Sequence, residues 1–299
     1  MKDPVLGESP QAKKIRDKIS LLKGRKFDLL LSGENGTGRD TAADFLSSAN
    51  SELPLFKIDC RDWRNDFDFR ISSGKFKGKE AAFEENFYFD RLDDLSSEGQ
   101  GFLLRLIEER TARYSEKYNI KLYGQIFFSA SEGLSELVKK KKFRDDLFSR
   151  ISAVRISLVP IRERRQDIPL YVNLFLEELS KKHKKKIARL DPGLSDFISG
   201  HSWLGNLTEL KAALEALVLF SKNGKLDKKY LTKNILDIQT RGLDSLNIVP
   251  GITLAEYEKA VILENLKHFG QNRALAAKAL GISERNLYRK IKGMDSRQF

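Results

Sequence analysis

The stretch Phe27-Asp28-Leu29-Leu30-Leu31-Ser32-Gly33-Glu34-Asn35-Gly36-Thr37-Gly38-Arg39-Asp40 decides the fold. Phe27 to Leu31 reads as a short buried strand. A glycine-rich loop follows, and the pattern from Thr41 to Ser48 is helical. Strand, glycine loop and helix form a phosphate-cradling unit, because glycines let backbone N–H groups converge on phosphate oxygens at the helix N-terminus. The usual spacing is Gly, four residues, Gly, Lys, then Ser or Thr. Gly33 and Gly38 keep it, but Arg39 stands for the Lys and Asp40 for the hydroxyl. A lysine is a compact charge that reaches terminal phosphates; arginine is a longer planar fork. Gly33, Glu34, Asn35, Gly36, Thr37, Gly38, Arg39 and Asp40 are therefore the candidate nucleotide-binding residues. A glycine turn without a ligand stays open as the alternative.

A second apolar run, Phe87-Tyr88-Phe89-Asp90, reads as a buried strand ending in an acid. Both runs read as strands of an α/β domain. In a P-loop ATPase an acid such as Asp90 holds magnesium through water. The following residue should be a Glu that polarises the attacking water; here it is Arg91, a cation that cannot act as that base. Asp90 has two other readings: it pairs with Arg91, or it caps the next helix.

Near the C-terminus, the stretch from Gln271 to Lys292 holds two short helical patterns that flank Gly281. Ala276, Ala277 and Leu280 allow close packing, and Gly281 suits a left-handed turn. Leu287 and Ile291 recur at i, i+4 and bury one face. This is a helix-turn-helix whose second helix suits a DNA major groove. Arg273, Ser283, Arg285, Asn286, Tyr288, Arg289 and Lys290 are the candidate DNA-binding residues. Arg285 suits guanine and Asn286 adenine; Lys290 and Lys292 suit phosphates.

Composition agrees with an anionic partner. The 299 residues carry a net charge of +12, and residues 272–299 hold seven Lys or Arg against two acids. The runs Lys139–Lys142 and Lys181–Lys186 read more simply as solvated faces. Cys60 is the only cysteine, which excludes an internal disulfide and fits a reducing compartment. With three His and one Cys there is no metal-ligand cluster of that kind. No segment reads as a membrane span or a signal peptide, so a cytoplasmic protein without a membrane partner is expected.

The ordered motifs resemble the NtrC-type AAA+ activators of sigma-54 RNA polymerase. Val5-Leu6-Gly7-Glu8-Ser9-Pro10 is similar to that family's opening, and the loop to its GESGTGKE form, which itself lacks a hydroxyl after the Lys. Phe143-Arg144-Asp145-Asp146-Leu147-Phe148-Ser149-Arg150 resembles the arginine-finger segment. Ile161 to Pro169 resembles LRERxxDIP, Trp203 to Leu210 resembles WPGNVREL, and the terminal helix-turn-helix resembles a Fis-type domain. The resemblance implies ATP or ADP with magnesium as cofactors and Arg144 and Arg150 as catalytic fingers reaching a neighbour's nucleotide. A structural role for both arginines stays open. It further implies RNA polymerase or its sigma factor as partner, and self-association or association with a related AAA+ protein. The implied organisation is an α/β AAA+ core at 1–170, with a parallel sheet and helices on both faces, a helical lid at 171–240, a linker at 241–252 and an all-α DNA-binding domain at 253–299.

Departures from the family pattern set the functional expectation. The sensor II Arg is Thr208, and the sensor I segment reads Phe128-Ser129-Ala130-Ser131. Between Cys60 and Asp90 the chain is too short for the full insertion carrying the GAFTGA loop. Gly74 to Lys79 is its best remnant, or else a basic surface loop. With Arg39, Arg91 and Thr208 together, efficient ATP hydrolysis is not expected. The leading reading is a sequence-specific DNA-binding transcriptional regulator with a degenerate AAA+ module. The alternatives are a partner or inhibitor of an intact AAA+ activator, and an active ATP-driven sigma-54 activator.

Overall fold

The computed structural model describes residues 5–73, 80–187, 190–221 and 224–226; in the C-terminal part it describes 272–280, 282, 284–292 and scattered positions between 258 and 269. The chain divides into two compact units, Met1–Ile235 and Leu236–Phe299.

The first unit opens with α1 (Pro10–Leu22), started by Ser9, whose hydroxyl accepts from Ala12 N. It continues with β1 (Leu29–Gly33), α2 (Arg39–Asn50), β2 (Leu55–Asp59), α3 (Trp63–Ser73), β3 (Glu80–Phe83), β4 (Asn86–Asp90) and α4 (Ser97–Glu109). Then come β5 (Thr111–Arg113), β6 (Asn119–Leu122), β7 (Ile126–Ala130), α5 (Leu134–Lys139), α6 (Asp145–Ile151) and β8 (Arg155–Leu158). The main sheet has the order β2-β4-β7-β1-β8, and every pair in it is parallel. Its central strands are buried on both faces, which is why they read as continuous apolar runs.

Side chains alternate between two cores. Leu30, Phe87, Phe89 and Phe128 face a core shared with α3 and α4. Leu29, Leu31, Tyr88 and Phe127 face the other, shared with α1 and α2. The first core is rich in aromatic rings meeting edge to face around Phe67, a favoured arrangement for aromatic quadrupoles. A small second sheet, β3-β6-β5, joins this face.

A helical layer follows: α7 (Ile168–His183), α8 (Pro192–Gly200) and α9 (Asn206–Phe220). The Asp191 carboxylate accepts from Gly193 N and Pro192 stands at the start of α8, which together set where that helix begins. The three helices share their own core around Trp203, Tyr171 and Leu214.

The second unit contains α10 (Arg273–Ala279) and α11 (Glu284–Lys292). Ala276, Ala277, Leu287 and Ile291 are buried there with Ile262 and Leu266, as their spacing predicts. Gly281, Ser283, the 241–252 linker and Gly74 to Lys79 lie outside the described residues. Among the described residues, no helix is long and apolar enough to cross a membrane.

Candidate nucleotide site and DNA-binding unit

The glycine loop lies between β1 and α2. Gly33, Gly36 and Gly38 have φ of 148°, 77° and 99°, the region where side chains are strained. At Gly36 a Cβ would stand 2.2 Å from the Gly205 carbonyl oxygen. Glycine there permits the loop to lie directly against the start of α9. Gly38 begins α2 without a side-chain cap, leaving backbone donors of the first turn for another acceptor. The helix starts at Arg39, two residues before the helical pattern becomes readable in sequence.

Arg39 is buried, with 8% of its surface exposed. Its Nη1 donates to Gly33 O at 3.2 Å and its Nη2 to Asn35 Oδ1 at 2.8 Å. The guanidinium thus closes on the loop that carries it. The loop is also clasped by the helical layer. Arg162 donates to both Glu34 carboxylate oxygens. Asn206 Nδ2 donates to Glu34 Oε2 at 3.1 Å and Asn35 O at 2.9 Å, while its Oδ1 accepts from Ile161 N at 3.0 Å. Leu207 N donates to Gly36 O at 2.9 Å. The Arg162 hydrogen bonds hold the Glu34 carboxyl below its ordinary range, against an opposing effect of burial.

A cleft of about 590 Å³ adjoins the loop, lined in part by Gly36, Gly38, Asp40, Tyr171, Thr208 and Lys211. Thr208 is exposed there and brings no charge. Lys211, one turn further along α9, supplies a cation to the cleft and pairs with Glu178 at 2.9 Å.

Asp90 ends β4 where the β4–β7 register, Phe89 opposite Phe128, sets it beside Ser129. Ser129 Oγ donates to Asp90 Oδ1, and the Tyr88 hydroxyl donates to the same oxygen at 3.3 Å. Burial, with Asp90 nearby, pushes the Tyr88 phenol up. Arg91 has φ 60°; its Nε lies 3.7 Å from Asp90 Oδ2, and its N–H donates to Ser129 Oγ at 3.1 Å. The pairing of Asp90 with Arg91 is therefore present. The loop backbone suits phosphate, whereas the side chains around it are bonded to one another.

Arg144 immediately precedes α6 and Arg150 lies in its last turn; both are exposed. Arg144 binds Asp146 through Nε and Nη2 at 3.0 and 2.7 Å, which lowers the Asp146 carboxyl to about 2. Neither arginine belongs to the cleft beside the loop of its own chain.

In the second unit Arg273 lies over the Tyr288 ring at 5.9 Å, and Tyr288 is 55% exposed. Arg289 Nη2 donates to Asn286 Oδ1 at 3.2 Å. Lys290 is held by Glu258 at 2.5 Å. Arg285 belongs to α11 by its backbone.

Sequence reasoning missed Arg162, Asn206, Ser129 and Lys211 as contributors. The first two stand in motifs that are visible in sequence; Ser129 follows from strand register, and Lys211 has no signal of its own.

Comparison with known proteins gives these features a family. Residues 5–157 match the sigma-54 interaction domain, 162–246 the AAA+ ATPase lid domain and 253–293 the bacterial regulatory protein, Fis family. The transcriptional regulatory protein ZraR of Escherichia coli O157:H7 is 29% identical over 302 residues, covering 96% of this chain and 68% of its own. The regulatory protein AtoC of Escherichia coli K12 is 28% identical over 309 residues, covering 96% and 68%. The fold is similar to that of NtrX from Brucella abortus in complex with ADP and with ATP. Each has a TM-score of 0.68 at 22% identity, covering 96% of this chain and 69% of that one. The chain belongs to the sigma-54 interaction domain family of transcriptional regulators, with an AAA+ lid and a Fis-type helix-turn-helix.

Proposed function

We propose that this regulator acts mainly by occupying specific duplex DNA through residues 253–299, while its AAA+ module binds nucleotide weakly and hydrolyses it poorly. The observation carrying this reading is Arg39, buried and bonded to Gly33 and Asn35 of its own loop. Those donors are spent inside the protein, and a guanidinium cannot substitute for a compact ammonium at the terminal phosphates. Arg91 beside Asp90 supports the same conclusion.

Where ATP or ADP binds, the backbone N–H groups of Gly36, Thr37, Gly38 and Arg39 are the residues to hold its phosphates, with Asp40, Thr208 and Lys211 near by. Asp90 is the candidate to carry magnesium through water. A bound nucleoside triphosphate would supply the anhydride bond and magnesium its charge neutralisation. In this proposal the core spans 1–170, the lid 171–240 and the linker 241–252.

RNA polymerase and its sigma factor are the protein partners consistent with the family. The short span from Cys60 to Asp90 supports regulation without independent remodelling of that polymerase. A second reading rests on the exposure of Arg144 and Arg150. Placed against a related AAA+ subunit, they would complete that subunit's site, and this chain would act as a co-assembling partner or inhibitor. Equilibrium binding of ATP and ADP, with and without magnesium, tests the primary reading. It expects Arg39→Lys to bind ATP more tightly than the wild type. Tight, magnesium-dependent binding by the wild type that Arg39→Lys leaves unchanged would overturn it.

A further inference from the structure

A second cleft, of about 340 Å³, is lined by Arg64, Arg105, Arg113 and Arg144 with Glu98 as its single carboxylate. It shares no lining residue with the cleft beside the glycine loop. The four arginines come from four places in the fold: α3, α4, the end of β5 and the residue before α6. Their convergence is a product of the tertiary structure.

Aromatic rings packed on one another line this cleft. The Trp63 and Phe102 rings stack at 5.0 Å, and Tyr114 meets Trp63 edge to face at 6.1 Å. The Arg64 guanidinium lies 4.8 Å from the Trp63 ring centre and is bonded to Glu98. Arg144 is bonded to Asp146, with Glu108 acting on it from further off. Asp68 is occupied by the Tyr114 hydroxyl at 2.8 Å. The side chains of Arg105 and Arg113 are exposed and make no hydrogen bond or ion pair among the described residues. Packing does not require them, and together they leave the cleft with uncompensated positive charge.

We propose that this cleft is a second anion site, built for a free condensed phosphate such as pyrophosphate. Like charges gathered in a concavity concentrate anions, and guanidinium forks match phosphate oxygens two at a time. The volume lies at the small end of ligand pockets, which favours a compact anion over a nucleic-acid strand. Arg105 and Arg113 would receive it, while Arg64 and Arg144 would exchange part of their carboxylate contacts for phosphate. The inference does not depend on nucleotide binding at the glycine loop.

The test is equilibrium dialysis of labelled pyrophosphate against the full chain, with tryptophan fluorescence recorded in parallel because Arg64 covers Trp63. ADP is titrated separately to tell a free polyphosphate from a nucleotide tail. Both substituted residues are exposed, so the double variant Arg105→Ala/Arg113→Ala should keep its fold. It is expected to bind pyrophosphate at least tenfold more weakly. Lys13→Ala, which removes an exposed cation that lines neither cleft, should stay within twofold of wild type. Failure of the wild type to bind, or binding kept in the double variant, would overturn the proposal.

Discussion

The glycine-loop region and the helix-turn-helix unit differ in how far their cations are withdrawn from solvent. Around the loop, Arg39, Arg162 and Arg91 lie against groups of their own chain: Gly33 and Asn35, Glu34, and Asp90. In the second unit Arg273, Tyr288 and Arg289 are exposed on the two helices, and the apolar positions turn inward. A fold tolerates the first pattern because its backbone needs only glycines and apolar strands. Hydrolysis asks more of the side chains, because its chemistry needs particular groups left available. The contrast teaches that a glycine loop keeps its backbone frame whichever groups its side chains bond, while a surface helix offers cations only from its exposed face.

The largest effect should come from removing the second region altogether. Deleting residues 253–299 is expected to weaken binding to the specific site by roughly a thousandfold, to the non-specific level. Fluorescence anisotropy on the operator found by genome-wide occupancy would measure this. Unchanged affinity would move DNA recognition to the other unit and break the comparison.

The next tests the inward-turned region. Asn206 is fully buried with φ 55° and ties Glu34 and Asn35 to the Ile161 backbone. Asn206→Ala should cost roughly 3 kcal/mol, from unpaired buried groups and a strained backbone. Urea unfolding checks it; a loss below about 0.5 kcal/mol would show that the clasp is not structural.

Arg285→Ala should cost roughly 1–3 kcal/mol at one base position and relax specificity there. A binding-site selection with the variant should show one position losing its preference. A uniform loss across all sequences would make Arg285 a phosphate contact.

The strand, loop and helix around Gly33 were legible because an apolar run and glycine spacing are local signals. The helix-turn-helix packing was legible for the same reason, through Ala276, Ala277, Leu287 and Ile291. The clasp was not: Arg162 and Asn206 reach Glu34 across 128 and 172 residues of chain. The inward turn of Arg39 is a choice of side-chain conformation, which residue type does not determine. Asp90 meets Ser129 only through strand register. The four-arginine cleft gathers residues from separate elements, and no spacing announces it.

A smaller effect concerns pH. Arg162 lowers the Glu34 pKa in the folded state, so the ion pair contributes above the unfolded value of about 4.3. That contribution is lost as pH falls through the lower folded value. Because both partners are partly exposed, it should stay below about 1 kcal/mol. Stability of wild type and Glu34→Gln should differ slightly at pH 7 and converge once pH falls below the lowered folded-state value. A difference that grows with acidification would reverse the assignment.

The most direct test of the central claim is steady-state phosphate release by the full chain with saturating ATP and magnesium, compared with Asp90→Ala. The redirected side chains predict that wild type will not exceed the Asp90→Ala background, and that Arg91→Glu alone will not raise it to an efficient rate. Rapid turnover by the wild type, abolished by Asp90→Ala, would contradict the account and identify the protein as a working ATPase.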